Sequence, residues 1–229
     1  MILILIIIII IIFVIIAKVK TEKENIALIS TVTKTDRGEE SEQKLVLWLL
    51  KSGASPENIF HNLYVENYYN KFSQIDFVLL TRVGIIVFEV KDYSGWIFGK
   101  GNQDKWTQVL NFGKEKYRFY NPIKQNFNHI NVLKRVIREK VPFYSVIVFF
   151  GDSELKDISF IPTNTFVTKS YRVLEVINNI LNNNPNIEYQ NIYRIKEILK
   201  KCVSNGNIDN QIKHKNNIDD MLGNDRIYY

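Results

Sequence analysis

The sequence is poor in the residues that build cages and cross-links. It has one cysteine, Cys202, among 229 residues. No intrachain disulfide and no cysteine-based zinc site can form, which fits a reducing compartment. The three histidines, His61, His129 and His214, are scattered without ligand spacing, so each reads as an ordinary surface or satisfied core residue. No internal repeat is present, which excludes a solenoid or propeller. No helix-turn-helix is visible as a sequence-reading element.

What the chain does have is apolar bulk. Hydrophobic residues make up 46%, which leaves little room for disorder outside the tail. The net charge of +6 permits a polyanionic partner, although an Asn-, Ile- and Lys-rich composition produces the same sign. The first 17 residues, MILILIIIIIIIFVIIA, are uninterrupted apolar sequence. As a helix they span roughly 25 Å, near the short limit for a bilayer crossing. A cleaved signal peptide would want a basic start and an A-x-A site. Here Lys18, Lys20 and Lys23 follow the run instead, which predicts a single-pass membrane anchor with its N-terminus outside and the main domain cytoplasmic. A buried core helix is the alternative.

Residues 18–36 read as a polar linker. A helix follows over DRGEESEQKLVLWLLKSG, with Gly53 as its C′ residue. NIFHNLYVEN, QIDFVLL and GIIVFEVKDY read as strands, and GWIFG, WTQVLNF and YRFY as shorter ones. NPIKQNFNHINVLKRVIREK opens a helix with Asn121 as N-cap and Pro122 at its first position. FYSVIVFF is a central strand and TFVTK another, before two helices over 169–202 and a polar tail over 203–229. This order predicts an α/β fold: a central mixed β-sheet flanked by helices, preceded by one N-terminal transmembrane helix.

IIVFEVKDYSGW places Glu89 and Lys91 inside an apolar strand, where an unpaired charge is costly. Alternation puts both on one face. A two-residue loop that pairs Thr81 with Gly84, or a four-residue loop that pairs Leu80 with Ile85, sets Asp76 of the preceding strand opposite Glu89, with Cβ atoms about 5 Å apart. Two carboxylates so close repel unless a proton or cation lies between them. A hard ion such as Mg²⁺ takes one or two carboxylates plus waters and phosphate oxygens. A cross-strand Lys–Asp–Glu salt-bridge cluster is the structural alternative. Glu-x-Lys alone is weak evidence, since it occurs at Glu42–Lys44, Glu89–Lys91 and Glu154–Lys156.

On the first soluble helix, Glu39, Gln43, Val46 and Leu50 share one face, so Glu39 is expected to look inward and Glu40 to pair with Lys44. Gln125 shares a face with His129, Val132 and Val136 and is a candidate to orient a water or a ligand. Lys114, Lys116, Arg118 and Lys124 interleave with Tyr117, Phe119 and Tyr120, which suits phosphate contacts and base stacking. A solvated hairpin with its aromatics turned to the core is the alternative.

Taken together, RGEESEQKLV, QIDFVLLTRVGIIVFEVKDYSGWIFG, Trp106 and NPIKQNFNHINVLKRVI resemble the nuclease-related domain (NERD), a branch of the PD-(D/E)xK phosphodiesterase superfamily. The resemblance covers roughly residues 37–150, within a domain expected over 37–168. It implies a restriction-endonuclease-like core and Mg²⁺- or Mn²⁺-dependent hydrolysis of DNA phosphodiesters. It further implies Asp76 and Glu89 as metal ligands and Lys91 as the group that positions or activates water or stabilises phosphoryl charge. Glu39 would be the outer acid and Gln125 an auxiliary polar group. A non-catalytic nucleic-acid-binding or structural module on the same fold is the alternative.

Overall fold

The computed structural model describes residues 2–34, 38–66 and 72–206. The chain opens with helix α1 (Ile2–Ile29). Its stretch from Ile4 to Ile29 is long and apolar enough to cross a membrane, and none of its apolar window is buried within the protein. The expected polar linker instead continues this helix through Ile29. The physical reason is composition: Lys18, Lys20, Glu22, Lys23 and Glu24 are good helix formers, and no Gly or Pro interrupts them. Positions 35 and 36 of that segment lie outside the described residues, as do His214 and the tail from residue 207.

Among the described residues, nine strands form two sheets. The central sheet runs in the order β1 (Ile59–Glu66), β2 (Phe72–Thr81), β3 (Gly84–Asp92), β7 (Phe143–Phe150), β9 (Thr165–Lys169). Its first three strands are antiparallel, and β3, β7 and β9 are parallel. A second sheet, in the order β6 (Glu115–Tyr120), β5 (Lys105–Leu110), β4 (Gly95–Lys100), β8 (Ser153–Ser159), was not expected as a separate layer.

Helices cover both faces of the central sheet, as its apolar strands require. On one face α2 (Glu40–Lys51) and α4 (Val173–Asn183) bury Leu45, Leu49 and Ile177 against Phe77, Phe88 and Val146. On the other, α3 (Pro122–Ile137) and α5 (Ile192–Ser204) bury Ile130, Leu133 and Leu199 against Val78, Ile85 and Val87. A third core, with Ile97, Trp106, Ile123, Ile147 and Phe149, joins the second sheet to β7 and the start of α3.

The start of α3 is fixed as the sequence predicts. Asn121 Oδ1 accepts from the Ile123 amide at 2.9 Å, and Pro122 follows it. The same side chain donates to the carbonyls of Lys100, Gly101 and Gln103, which ties the helix to the β4–β5 turn. Further along, buried Asn126 donates to Val87 O and Ser145 Oγ, both at 2.8 Å. These bonds hold α3 in register over β3 and β7.

Candidate active site

The β2–β3 hairpin has the predicted register. Thr81 pairs with Gly84, and the ladder runs to Phe77–Phe88. There it stops, one position short of Asp76. Asp76 Oδ2 accepts from the Val90 amide at 2.8 Å, so a carboxylate takes over where a backbone carbonyl would have continued. The regular alternation also breaks here. Ile75 packs on the α3 side with Val78 and Leu80, whereas Phe77 packs on the α2 side. The facing residue on β1, Asn62, has φ +54°, a left-handed conformation that Asn tolerates. The two strands kink together, and the kink aims Asp76 at β3.

Glu89 lies on the α3 side of β3 and is 1% exposed. Its Oε1 meets Lys91 Nζ at 2.7 Å. Lys91 also donates to Gln125 Oε1 at 3.3 Å, and His129 Nε2 stands 3.2 Å from Glu89 Oε2. Gln125 and His129 are four apart on α3, one above the other. The His129 nitrogen is close but not aligned, so Glu89 Oε2 is buried without a hydrogen-bond partner. The sequence alone marks Gln125 and reads His129 as an ordinary residue. The signal was its shared face with Gln125.

The inward acid of α2 is Glu42. Glu39 is exposed, and its backbone is still extended as the N-cap residue. Helical spacing therefore starts at Glu40 and turns Glu42, Leu45, Val46 and Leu49 inward. Glu40 pairs with Lys44 at 2.7 Å, as expected. Glu42 is 5% exposed, and its Oε2 accepts from His61 Nε2 at 2.7 Å.

The two neighbouring strand carboxylates are in opposite electrostatic states. Burial, with the charges of Glu89 and Glu42 added, raises the Asp76 carboxyl well above the usual range, against the opposing pull of Lys91 and the Val90 amide. Burial would raise Glu89 too, but the Lys91 ammonium and His129 outweigh it and hold Glu89 below the usual range. Burial works against charge on Lys91, and the Glu89 and Asp76 carboxylates overcome it, raising its pKa above that of an ordinary lysine.

The basic candidates are spread out. Lys116 and Arg118 are exposed on β6, an edge strand of the second sheet, and Lys114 is exposed in the turn before it. Phe119 turns inward against Tyr93, with ring centroids 4.9 Å apart, while Tyr117 and Tyr120 stay exposed. Lys124 is engaged by Asp104 at 2.6 Å, so its ammonium already has an anion.

Residues 37–150 match the nuclease-related domain. This part of the chain belongs to the NERD family. The family is PD-(D/E)xK-like. The chain is also 30% identical over 123 residues to an uncharacterized protein of Bacillus anthracis, covering 54% of this chain. It spans 57% of that relative's length. No solved structure matches the chain significantly.

A divalent ion implied by the family must fit the donors present. Among the described residues no group of three or more His, Cys, Asp or Glu side chains forms a metal cage. Two carboxylates, Asp76 and Glu89, remain. One offers a buried oxygen without a hydrogen-bond partner, and the other is destabilised as an anion by burial and by the charges of Glu89 and Glu42. Such an oxygen pair suits a hard cation that keeps most of its waters, as Mg²⁺ does, and not a cation that demands nitrogen or sulfur ligands.

Proposed function

We propose that the chain is a membrane-anchored NERD nuclease that hydrolyses DNA phosphodiesters. The observation that carries this reading is the raised, crowded carboxyl of Asp76 at the point where the β2–β3 ladder opens. Uncompensated negative charge is an expensive feature, and a bound cation would relieve it.

Asp76 and Glu89 would hold Mg²⁺ or Mn²⁺, which would supply Lewis-acid polarisation of the phosphodiester. Lys91 meets the scissile phosphate. With its pKa raised it is an ammonium, which suits orienting the attacking water and stabilising phosphoryl charge over removing a proton. Gln125 fixes the Lys91 head through its Oε1. Glu42, rather than Glu39, serves as the outer acid, because it is the α2 carboxylate that acts on Asp76. Lys114, Lys116 and Arg118 offer phosphate contacts beside the exposed Tyr117 and Tyr120. The apolar run of α1 anchors the domain, with the N-terminus outside and the main domain cytoplasmic, following Lys18, Lys20 and Lys23.

The test is the full chain in detergent micelles, incubated with plasmid DNA and Mg²⁺. Cleavage is expected, with loss on the order of 10²–10³-fold in Asp76→Ala and in Glu89→Ala. Cleavage that survives both substitutions would reject the site.

A second reading has its own observation. The 2.7 Å Lys91–Glu89 pair already neutralises one carboxylate, as a structural cluster would. Salt-dependent DNA binding without cleavage, and a melting temperature indifferent to Mg²⁺, favour that non-catalytic module.

A further inference from the structure

Glu42 is held by a chain of side chains that no part of the proposed reaction uses. His61 is 1% exposed, and Thr33, in the turn that follows α1, is 9% exposed. His61 Nε2 meets Glu42 Oε2 at 2.7 Å, and His61 Nδ1 meets Thr33 Oγ1 at 2.9 Å. A carboxylate only accepts, so Nε2 carries the proton. In the neutral ring Nδ1 then accepts, and the Thr33 hydroxyl donates to it. The hydroxyl's other acceptor, Lys34 O, is farther at 3.4 Å. The pair of contacts therefore fixes both the tautomer and the plane of the imidazole.

The surroundings leave this chain no slack. Gly38 has φ +73°, and a Cβ there would lie 2.3 Å from Glu42 Oε2 and 2.5 Å from His61 Nε2. Thr33 closes on His61 from the segment before residues 35–37, and Gly38 from the segment after. His61 pairs with Phe77, the neighbour of Asp76, so the chain ends at the kink of β2. Leu28 and Val32 pack on the α2-side core, which seats the end of α1 against the domain.

We propose that Thr33 and His61 are positioning residues that hold the Glu42 carboxylate at the acidic end of the β2–β3 hairpin, making the turn after α1 part of the active site. The inference deepens the nuclease reading and rests on it. Its consequence is that the anchor does not trail a passive linker. Where α1 sits bears on where Glu42 sits, through two hydrogen bonds.

The experiment uses the full chain in detergent micelles, with histidine labelled in ¹⁵N, and Mg²⁺ added alone. The His61 signal is assigned by its loss in His61→Asn. The wild type is expected to show a single tautomer with the proton on Nε2. Thr33→Val removes the hydroxyl at nearly constant shape. It is expected to mix the tautomers and raise the half-saturating Mg²⁺ concentration about tenfold. Thr33→Ser is expected to restore both. Should Thr33→Val fail to fold, Thr33→Ala removes the same hydroxyl with less bulk. A Thr33 variant that keeps the wild-type tautomer overturns the proposal, as does one with an unchanged Mg²⁺ midpoint. If the wild type binds no Mg²⁺, the nuclease reading falls, and the tautomer alone decides whether Thr33 orients His61.

Discussion

The two ends of the β2–β3 hairpin are built to opposite rules. At the turn end, Thr81–Gly84 through Phe77–Phe88 form an unbroken ladder, and Val78, Ile85 and Val87 disappear into a core. Apart from Thr81 beside the turn, the side chains of this ladder are apolar. At the other end the ladder stops, a carboxylate replaces a carbonyl partner, and like charges face one another. An arrangement optimised for burial and one that works against it both lie within the ten residues of β2. The difference marks the open end as the candidate site, because stability given up there is what a bound ligand would restore.

The largest effects should come from exchanging the two carboxylates' roles. Glu89→Gln strands the mostly buried Lys91 ammonium, whose side chain is 18% exposed. Removing one partner of such a pair costs about 3–5 kcal/mol. Asp76→Asn removes a charge that the fold resists, so the melting temperature should hold or rise. Both variants should lose cleavage on the order of 10²–10³-fold. Denaturant melts alongside plasmid assays separate the two; equal destabilisation would contradict the opposite electrostatic states. At the closed end, Ile85→Ala should cost about 2–5 kcal/mol by cavity formation, with cleavage per folded molecule unchanged.

A smaller effect sharpens the same contrast through pH. Asp76's folded pKa is raised, so its contribution is present at low pH and is lost as pH rises through that value. Glu89's is lowered, so its contribution holds above the ordinary carboxylate range and is lost as pH falls through its folded value. Without divalent ions, Asp76's contribution should therefore decline from the ordinary carboxylate range up to its raised folded value and level off above it, by at most about 1.4 kcal/mol per pH unit. Mg²⁺ should flatten that decline by displacing the proton, and Asp76→Asn should abolish it. Chemical melts at stepped pH, with and without Mg²⁺, measure both slopes.

How legible this was depended on how local the determinant is. The hairpin register followed from loop length and strict alternation, both local, and it holds from Thr81–Gly84 to Phe77–Phe88, one pair short of Asp76–Glu89. The cap at Asn121–Pro122 was equally local. The strand β8 went unread because Glu154, Lys156 and Asp157 make it look like a loop. It is an edge strand, whose outward residues need no apolar character. Glu42 was missed because helical spacing was counted from a residue that still has extended backbone. His61 and His129 were set aside because a single histidine carries no pattern. Their roles come from partners 19 and 40 positions away in sequence, Glu42 and Glu89, which only the tertiary fold brings close.

The smallest expected effect tests whether the second sheet belongs to the open end's chemistry or merely supports it. Lys116 and Arg118 are exposed on β6, so Lys116→Ala and Arg118→Ala should change stability by less than about 0.5 kcal/mol. If the edge strand carries DNA phosphate toward Asp76 and Glu89, each substitution should weaken binding uniformly across sequences. Each should also reduce the slope of log affinity against log salt by about one. Lys124→Ala should do less, because Asp104 already occupies that ammonium at 2.6 Å. Fluorescence anisotropy with a labelled duplex over a salt series reads all three. Slopes unchanged in Lys116→Ala and Arg118→Ala would confine the second sheet to packing, through Trp106 and Phe119, and leave the α3 side of Lys91 as the DNA path.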